Sequence, residues 1–389
     1  MRWCVVLLII PGLLSAADAV FREENIFPYQ PKHVHSSSIV ECPNGDFLVC
    51  WFHGSGERTA DDVLVQGSRW RKGQRSWSPV FLMADTPGFP DCNPVLFIDR
   101  KQKLWLFWVT VLAHKWEYSL LKYRTSTDYL RQDAPVWNWQ DVMTLKPYDD
   151  FADRVKAGFK SMNLPESMWA GFAPPYTEML EEASADPYKR QMGWMPRIHP
   201  LQLTDGRLLF PLYSDGLNFS LIAISDDDGR TWQTSHPIVG LGPIQPTLVQ
   251  KKDKTLVAYM RDSGEPPHRV LLSTSSDNGM TWSASQDTDI PNPDSSLEVV
   301  VLQNGRWIMV CNDTEDGRHR LVAKWSDDEG KSWPKQRYIA NSTPGKESFG
   351  YPSVLQSRDG LIHVTYSYAA GPERTIRHVV FNEEWIKGL

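Results

Sequence analysis

Cysteine is scarce: Cys 5 in 389 residues, one of them (Cys4) in the N-terminal apolar stretch. Cys42, Cys50, Cys92 and Cys311 remain, too few for a scaffold built from disulfides. Neither C-x-x-C nor H-E-x-x-H occurs, so no zinc site is indicated, and neither a metal nor another cofactor is expected. Positive charge is not in excess. Lys+Arg 41 against Asp+Glu 47 gives a net charge of -6, which argues against a nucleic-acid partner. After the first residues, no apolar run is long enough to cross a bilayer, so stable membrane insertion is not expected. Hydrophobic residues at 41% with charged residues at 23% also exclude a disordered chain.

Turns and aromatics, by contrast, are abundant: Gly 25, Pro 28 and Trp 17 point to a β protein with many tight connections. The first residues read as an export leader. Arg2 supplies a positive start, Val5 to Leu14 an apolar centre, and Ala17-Asp18-Ala19 a small-x-small cleavage site. Residues 1–19 are therefore expected to be a signal peptide, and 20–389 a secreted or periplasmic domain. Asn218, Asn312 and Asn341 begin formal N-glycosylation sequons, relevant only on a eukaryotic secretory route.

A short unit recurs six times, each a turn followed by an apolar strand. Asn44-Gly45 precedes FLVCWF, Arg100 to Lys103 precedes LWLFWV, and Asp205-Gly206 precedes RLLFPLY. Asp253-Lys254 precedes TLVAYM, Asn304-Gly305 precedes RWIMVC, and Asp359-Gly360 precedes LIHVTY. Asn-Gly and Asp-Gly between apolar runs are strong hairpin signals. Four of the five intervals are roughly 50 residues, the length of a four-stranded blade. The gap between the second and third copies is longer. It predicts an insertion over about 110–195, with a helix from Asp149 to Met162 and an aromatic segment holding Trp169, Phe172 and Tyr176. Long loops of this kind are usually functional, and this one is expected to overhang the central channel.

A second motif is nested in the first. Ser225-x-Asp227-x-Gly229-x-Thr231-Trp232 returns as Ser275-x-Asp277-x-Gly279-x-Thr281-Trp282 and as Ser326-x-Asp328-x-Gly330-x-Ser332-Trp333. Asp and Ser can bond nearby amides, Gly permits positive φ, and Trp can pack beneath. The ligand count falls short of a calcium loop. This is the Asp-box, or BNR repeat, and the chain resembles the sialidase (neuraminidase) superfamily over almost its whole exported length. The resemblance implies an all-β, six-bladed β-propeller with the insertion between the second and third blades. The last strand, Ile376 to Phe381, would close the ring against the N-terminal part.

In that register the inner-strand starts form a ring at one mouth of the channel. Its members are Ser36 or His35, Asn93, His199, Gln245, Asp294 and Tyr351. The resemblance further implies roles. Tyr351, in Gly-Tyr-Pro-Ser, matches the nucleophile. Arg261 and Arg320 match two arginines that hold a substrate carboxylate, and Asp61 or Asp62 matches the acid/base. Guanidinium forks suit carboxylates because they bind in bidentate fashion. Two departures stand out. His35 occupies the place of the first arginine, and Gln245 that of the glutamate that activates the tyrosine. Gln cannot take a proton. Arg197 is the candidate replacement cation, with His35 or His199 the candidate base. The expected function is hydrolysis of a terminal, acidic sugar of a glycan. The alternatives are a non-catalytic glycan-binding propeller and a uronate-specific polysaccharide lyase.

Overall fold

The computed structural model describes residues 18–164 and 175–388. Most of the expected leader, and the aromatic residues Trp169 and Phe172, lie outside the described residues. The described residues form six antiparallel sheets arranged as blades around a central channel. Blade one holds His33–Glu41, Phe47–Gly54, Leu64–Trp70 and Phe81–Ala84, ordered from the channel outward. The other blades repeat this order, with inner strands Asp91–Ile98, Met195–Pro196 with Leu201–Gln202, Pro243–Gln250, Glu298–Val301 and Glu347–Gln356. Blade six takes its outermost strand from the other end of the chain. Phe21–Asn25 pairs antiparallel with Glu373–Phe381, from Phe21 opposite Phe381 to Asn25 opposite Arg377. The ring is thus closed as expected, and two free sheet edges are removed.

The core lies between blades, because each sheet is apolar on both faces. Leu48 and Val65 of blade one pack with Leu96, Leu106 and Trp108 of blade two. Val257 and Tyr259 of blade four pack with Leu297, Trp307 and Met309 of blade five. Each side chain of this size contributes about 1.5–3 kcal/mol when fully buried. The Asp boxes lie where expected, on turns between the third and fourth strands of blades three, four and five. In the first, the Asp227 carboxylate accepts the Thr231 amide at 2.9 Å and the Thr231 hydroxyl at 2.7 Å. The Ser225 hydroxyl donates to the same carboxylate and accepts the Gly229 amide, both at 2.9 Å. Gly229 has φ +78, and a Cβ there would lie 2.5 Å from the Trp105 ring of blade two. The box is therefore a turn that grips the neighbouring blade.

The insertion is shorter than the sequence suggests. Ser119–Ser126 and Trp139–Val142 complete blade two, so only the stretch from 143 to 194 is additional. The long turn between these two strands made them look irregular in the sequence. The insertion carries helices Phe151–Ser161, Tyr176–Ala185 and Pro187–Gln191. Phe151, Val155 and Phe159 recur every fourth residue and pack with Leu217, Phe219 and Val239 of the third blade. No helix among the described residues is long and apolar enough to cross a membrane.

Candidate functional site

Each inner strand turns sharply near its start. Ser36, Asn93, Gln245, Asp294 and Tyr351, the members of the expected ring in five blades, all have φ between +51 and +58. In four of these blades the register skips one residue at this point, as in a β-bulge. Left-handed backbone is uncommon away from glycine and costs on the order of 1–3 kcal/mol per residue. At Asn93, Gln245 and Tyr351 the side chain of the left-handed residue lines the channel mouth.

There the ring opens into a cavity of about 490 Å³, lined by His35, Glu57, Asn93, Trp116, Tyr176, Tyr213, Asp215, Gln245, Arg261, Arg318 and Tyr351, among others. Tyr351 is at its centre. Its phenol oxygen accepts from Arg261 Nη1 at 2.7 Å and from Gln245 Nε2 at 3.3 Å. Three guanidinium carbons surround its ring: Arg197 at 5.0 Å, Arg318 at 5.2 Å and Arg261 at 6.0 Å from the centroid. Arg261 is fixed from behind by Asp294 Oδ1 at 2.5 Å, and Arg318 donates to the Asp294 carbonyl at 2.7 Å. Asp294 therefore orients both cations from behind. Arg197 is buried beneath the ring, where it donates to the carbonyls of Pro352 at 2.9 Å and Ser37 at 3.3 Å. It supports the tyrosine electrostatically and does not line the cavity. Asn93 lines it and donates to the Tyr213 phenol at 3.0 Å.

Four sequence expectations are corrected. Arg320 does not line the cavity: it pairs with Asp313 at 3.0 Å and covers Tyr338. Arg318, in the loop before strand Arg320–Ser326, faces the tyrosine instead. Asp61 and Asp62 are exposed and engaged elsewhere, Asp61 with His114 at 2.6 Å and Asp62 with Lys32 at 2.8 Å. Hydrogen bonds from Lys32 and Ser55 hold Asp62 well below the usual carboxylate range. The carboxylate that their loop sends into the cavity is Glu57. His199 lies at the opposite mouth, bonded to Glu298 at 2.6 Å and to the Ile39 carbonyl at 3.0 Å. Blade three has four residues, 197–200, where its partner strand has two, and this wider bulge turns His199 away. Finally, His35 lines the cavity but stacks on the Tyr351 ring, with centroids 4.0 Å apart, and makes no hydrogen bond to its oxygen. Its imidazole is pushed well below neutral, chiefly by enclosure and also by the charges of His33, Arg318 and Arg197.

Several lining residues were not read from the sequence. Tyr213 had a usable signal. It stands seven residues after Gly206, as Arg261 stands seven after Lys254. Asp215 lies two residues further on, beyond the strand, where counting gives no direction. Tyr176, expected to wall the channel, does line the cavity and meets Asn218 at 2.6 Å. Among the described residues no three His, Cys, Asp or Glu side chains gather to hold a metal ion.

Six blades around a channel, three Asp boxes and a tyrosine among arginines define a sialidase-like propeller. The chain belongs to the BNR repeat-like domain family, which it matches over residues 45–151 and 194–364. The break between these stretches falls on the helical insertion. A curated sialidase from Micromonospora viridifaciens is 26% identical over 175 residues, 42% of this chain and 25% of that protein. The chain thus matches only about a quarter of that relative. An intramolecular trans-sialidase from Ruminococcus gnavus, solved with oseltamivir carboxylate, aligns with a TM-score of 0.65 at 14% identity, covering 93% of this chain and 98% of that one. A protein of unknown function from Dyadobacter fermentans aligns with a TM-score of 0.68 at 14% identity, covering 93% and 99%.

Proposed function

We propose that this protein is an exported, glycan-active enzyme of sialidase type that takes a terminal sugar bearing an anionic group. The observation that carries this reading is the meeting of Arg261 and Arg318, from adjacent blades, around Tyr351 in one polar cavity. Two guanidinium groups, Arg261 at a strand end and Arg318 in a loop tied to the Asp294 carbonyl, suit a carboxylate, and the cavity is within the range of small-molecule sites. The sialidases among its relatives support the same class of substrate, and the leader-like first residues support export. The tyrosine differs from an activated nucleophile. Its oxygen is met by two donors, and the side chain where the family has a glutamate is Gln245, which cannot remove its proton. Tyr351 is therefore assigned as an electrostatic partner of the reacting centre.

The test is a screen of the purified protein against aryl glycosides of sialic, glucuronic, galacturonic and neutral sugars. Release of the aryl group from an anionic sugar is the expected result. Equal turnover of neutral sugars would refute the assignment of the arginines, and an unsaturated, ultraviolet-absorbing product would replace hydrolysis by elimination. Gln245 also favours a second reading, a propeller that binds an anionic glycan without cleaving it. Calorimetric binding without turnover of any glycoside would select that reading.

A further inference from the structure

We propose that Asp215, on the wall contributed by blade three, is the proton donor to the departing glycosidic oxygen. This rests on the reading of the cavity as a site for an anionic sugar. Asp61 and Asp62 do not line it, and both are engaged at the surface. Asp294 is engaged by Arg261. Glu57 and Asp215 both line it, from blades one and three. Glu57 bonds His33 at 3.1 Å. Burial raises its carboxyl, but the hydrogen bond from His33 and the electrostatic influence of the neighbouring His35, His33 and Arg58 side chains bring it down to about 2. It has no proton to give near neutrality.

Asp215 is in the opposite state. It follows strand Leu208–Ser214 and opens into the cavity, and among the described residues its carboxylate has no hydrogen bond or ion pair. Desolvation beside the cavity wall raises it to about 6, although the residue remains open to solvent on the cavity side. Arg261, from blade four, and Arg58, from the loop beyond the second strand of blade one, lower it. Asp294, before the inner strand of blade five, and Glu117, from the short turn Trp116–Tyr118, raise it. Two carboxylates in one site whose environments separate their proton affinities mark an ionised and a protonated role.

The step balances without a cofactor. The bond from the anomeric carbon to the glycosidic oxygen breaks, and that oxygen keeps the electron pair and takes the Asp215 proton. Water then adds its oxygen to the anomeric carbon and returns a proton to the Asp215 carboxylate. One water is consumed and two hydroxyl-bearing fragments leave. Because the donor must be protonated, turnover falls as pH rises through about 6.

The experiment uses full-length wild type, Asp215→Asn, Asp215→Glu and Asp61→Asn, each checked for an unchanged melting temperature. The probes are the 4-nitrophenyl glycoside and an alkyl glycoside of the anionic sugar that wild type turns over best. A nitrophenolate leaves without help, whereas an alkoxide needs the proton. Asp215→Asn should lower kcat on the alkyl glycoside by roughly 100-fold or more, and on the aryl glycoside by far less. Its KM should stay near the wild-type value, and its pH profile should lose the alkaline limb. Asp215→Glu should recover part of the alkyl activity, and Asp61→Asn should match wild type. Equal losses on both glycosides, or a retained alkaline limb in Asp215→Asn, would overturn the role of Asp215 while leaving the anionic-sugar reading intact. Wild type that neither binds nor cleaves any anionic glycoside would overturn that reading and this proposal together. Binding without cleavage would overturn the proposal and the enzymatic reading, and leave the cavity as a site for an anionic sugar.

Discussion

Replacing Arg318 with alanine should weaken binding of an anionic sugar, whereas the same change at Arg320 should not. The two residues are separated by a single histidine, so composition and net charge change identically. Arg318 faces the Tyr351 ring and spends one donor on the Asp294 carbonyl at 2.7 Å, leaving the rest of its fork for the cavity. A hydrogen bond to a charged group contributes about 1.5–3 kcal/mol. At about 1.4 kcal/mol per factor of ten, Arg318→Ala should raise Kd roughly 10- to 150-fold. Arg318→Lys should fall between, because it keeps the charge and loses the planar fork. Arg320 instead pairs with Asp313 at 3.0 Å, with its own side chain 35% exposed. Asp313 is only 8% exposed, so Arg320→Ala should cost stability by leaving that carboxylate unpaired, yet leave Kd within about threefold because the pair lies outside the cavity. The assay is isothermal titration of each variant with the best anionic monosaccharide from the glycoside screen. Equal weakening by the two variants, or an unchanged Kd for Arg318→Ala, would refute the assignment.

Gly229→Ala should destabilise the fold by about 2–5 kcal/mol in urea titrations, from left-handed strain together with overpacking. The added Cβ meets Trp105 at 2.5 Å at φ +78. Stability should fall as pH drops from about 6.5 toward 3. His363 is held down to about 3, first by burial and then by His378, so across that window the unfolded chain binds the proton that the folded chain refuses. Urea midpoints at a series of pH values check this, and His363→Gln should flatten the slope. Deleting residues 18–25 should lower the melting temperature and promote aggregation, since it bares the edge of strand Glu373–Phe381 and removes the stacking of Phe21 on Trp385 at 4.6 Å. An unchanged transition would show that the ring does not depend on this closure.

The fold was legible because its signals are local and repeated. Asp-Gly and Asn-Gly turns, alternating apolar strands and Asp boxes each report a few residues' geometry, and six copies, all but one interval at a similar spacing, leave few alternatives to a ring. Part of the ring of inner-strand starts was legible for the same reason, since proline follows Asn93, Gln245 and Tyr351 at the bulge, although it also follows His199. Errors arose where the local count changes or where direction depends on a loop. Two extra residues in blade three carry His199 to the far mouth. Arg318 and Glu57 enter from loops, where no two-residue alternation ties sequence position to a face. Arg320 and Asp61 or Asp62 were nearby matches of the correct residue type, chosen by distance along the chain.

The placement of charge suggests how the altered site still holds together. Gln245 leaves the tyrosine without a carboxylate beside its oxygen, and the tyrosine is instead surrounded by Arg197, Arg261 and Arg318. Removing one negative charge from such a cluster would make the cavity strongly cationic. The ionised Glu57 carboxylate at its wall offsets this from blade one, and Asp294 does so from behind Arg261. The protein keeps five non-glycine residues in left-handed backbone to aim this ring, a conformation that persists only where surrounding structure enforces it. A ring kept only to seal a channel would not require those side chains to be Tyr, Gln, Asn and Asp. Glycine or asparagine at each bulge would relieve the strain and seal equally well. At Asn93, Gln245 and Tyr351 the strained backbone is therefore tied to the side chains it places in the cavity.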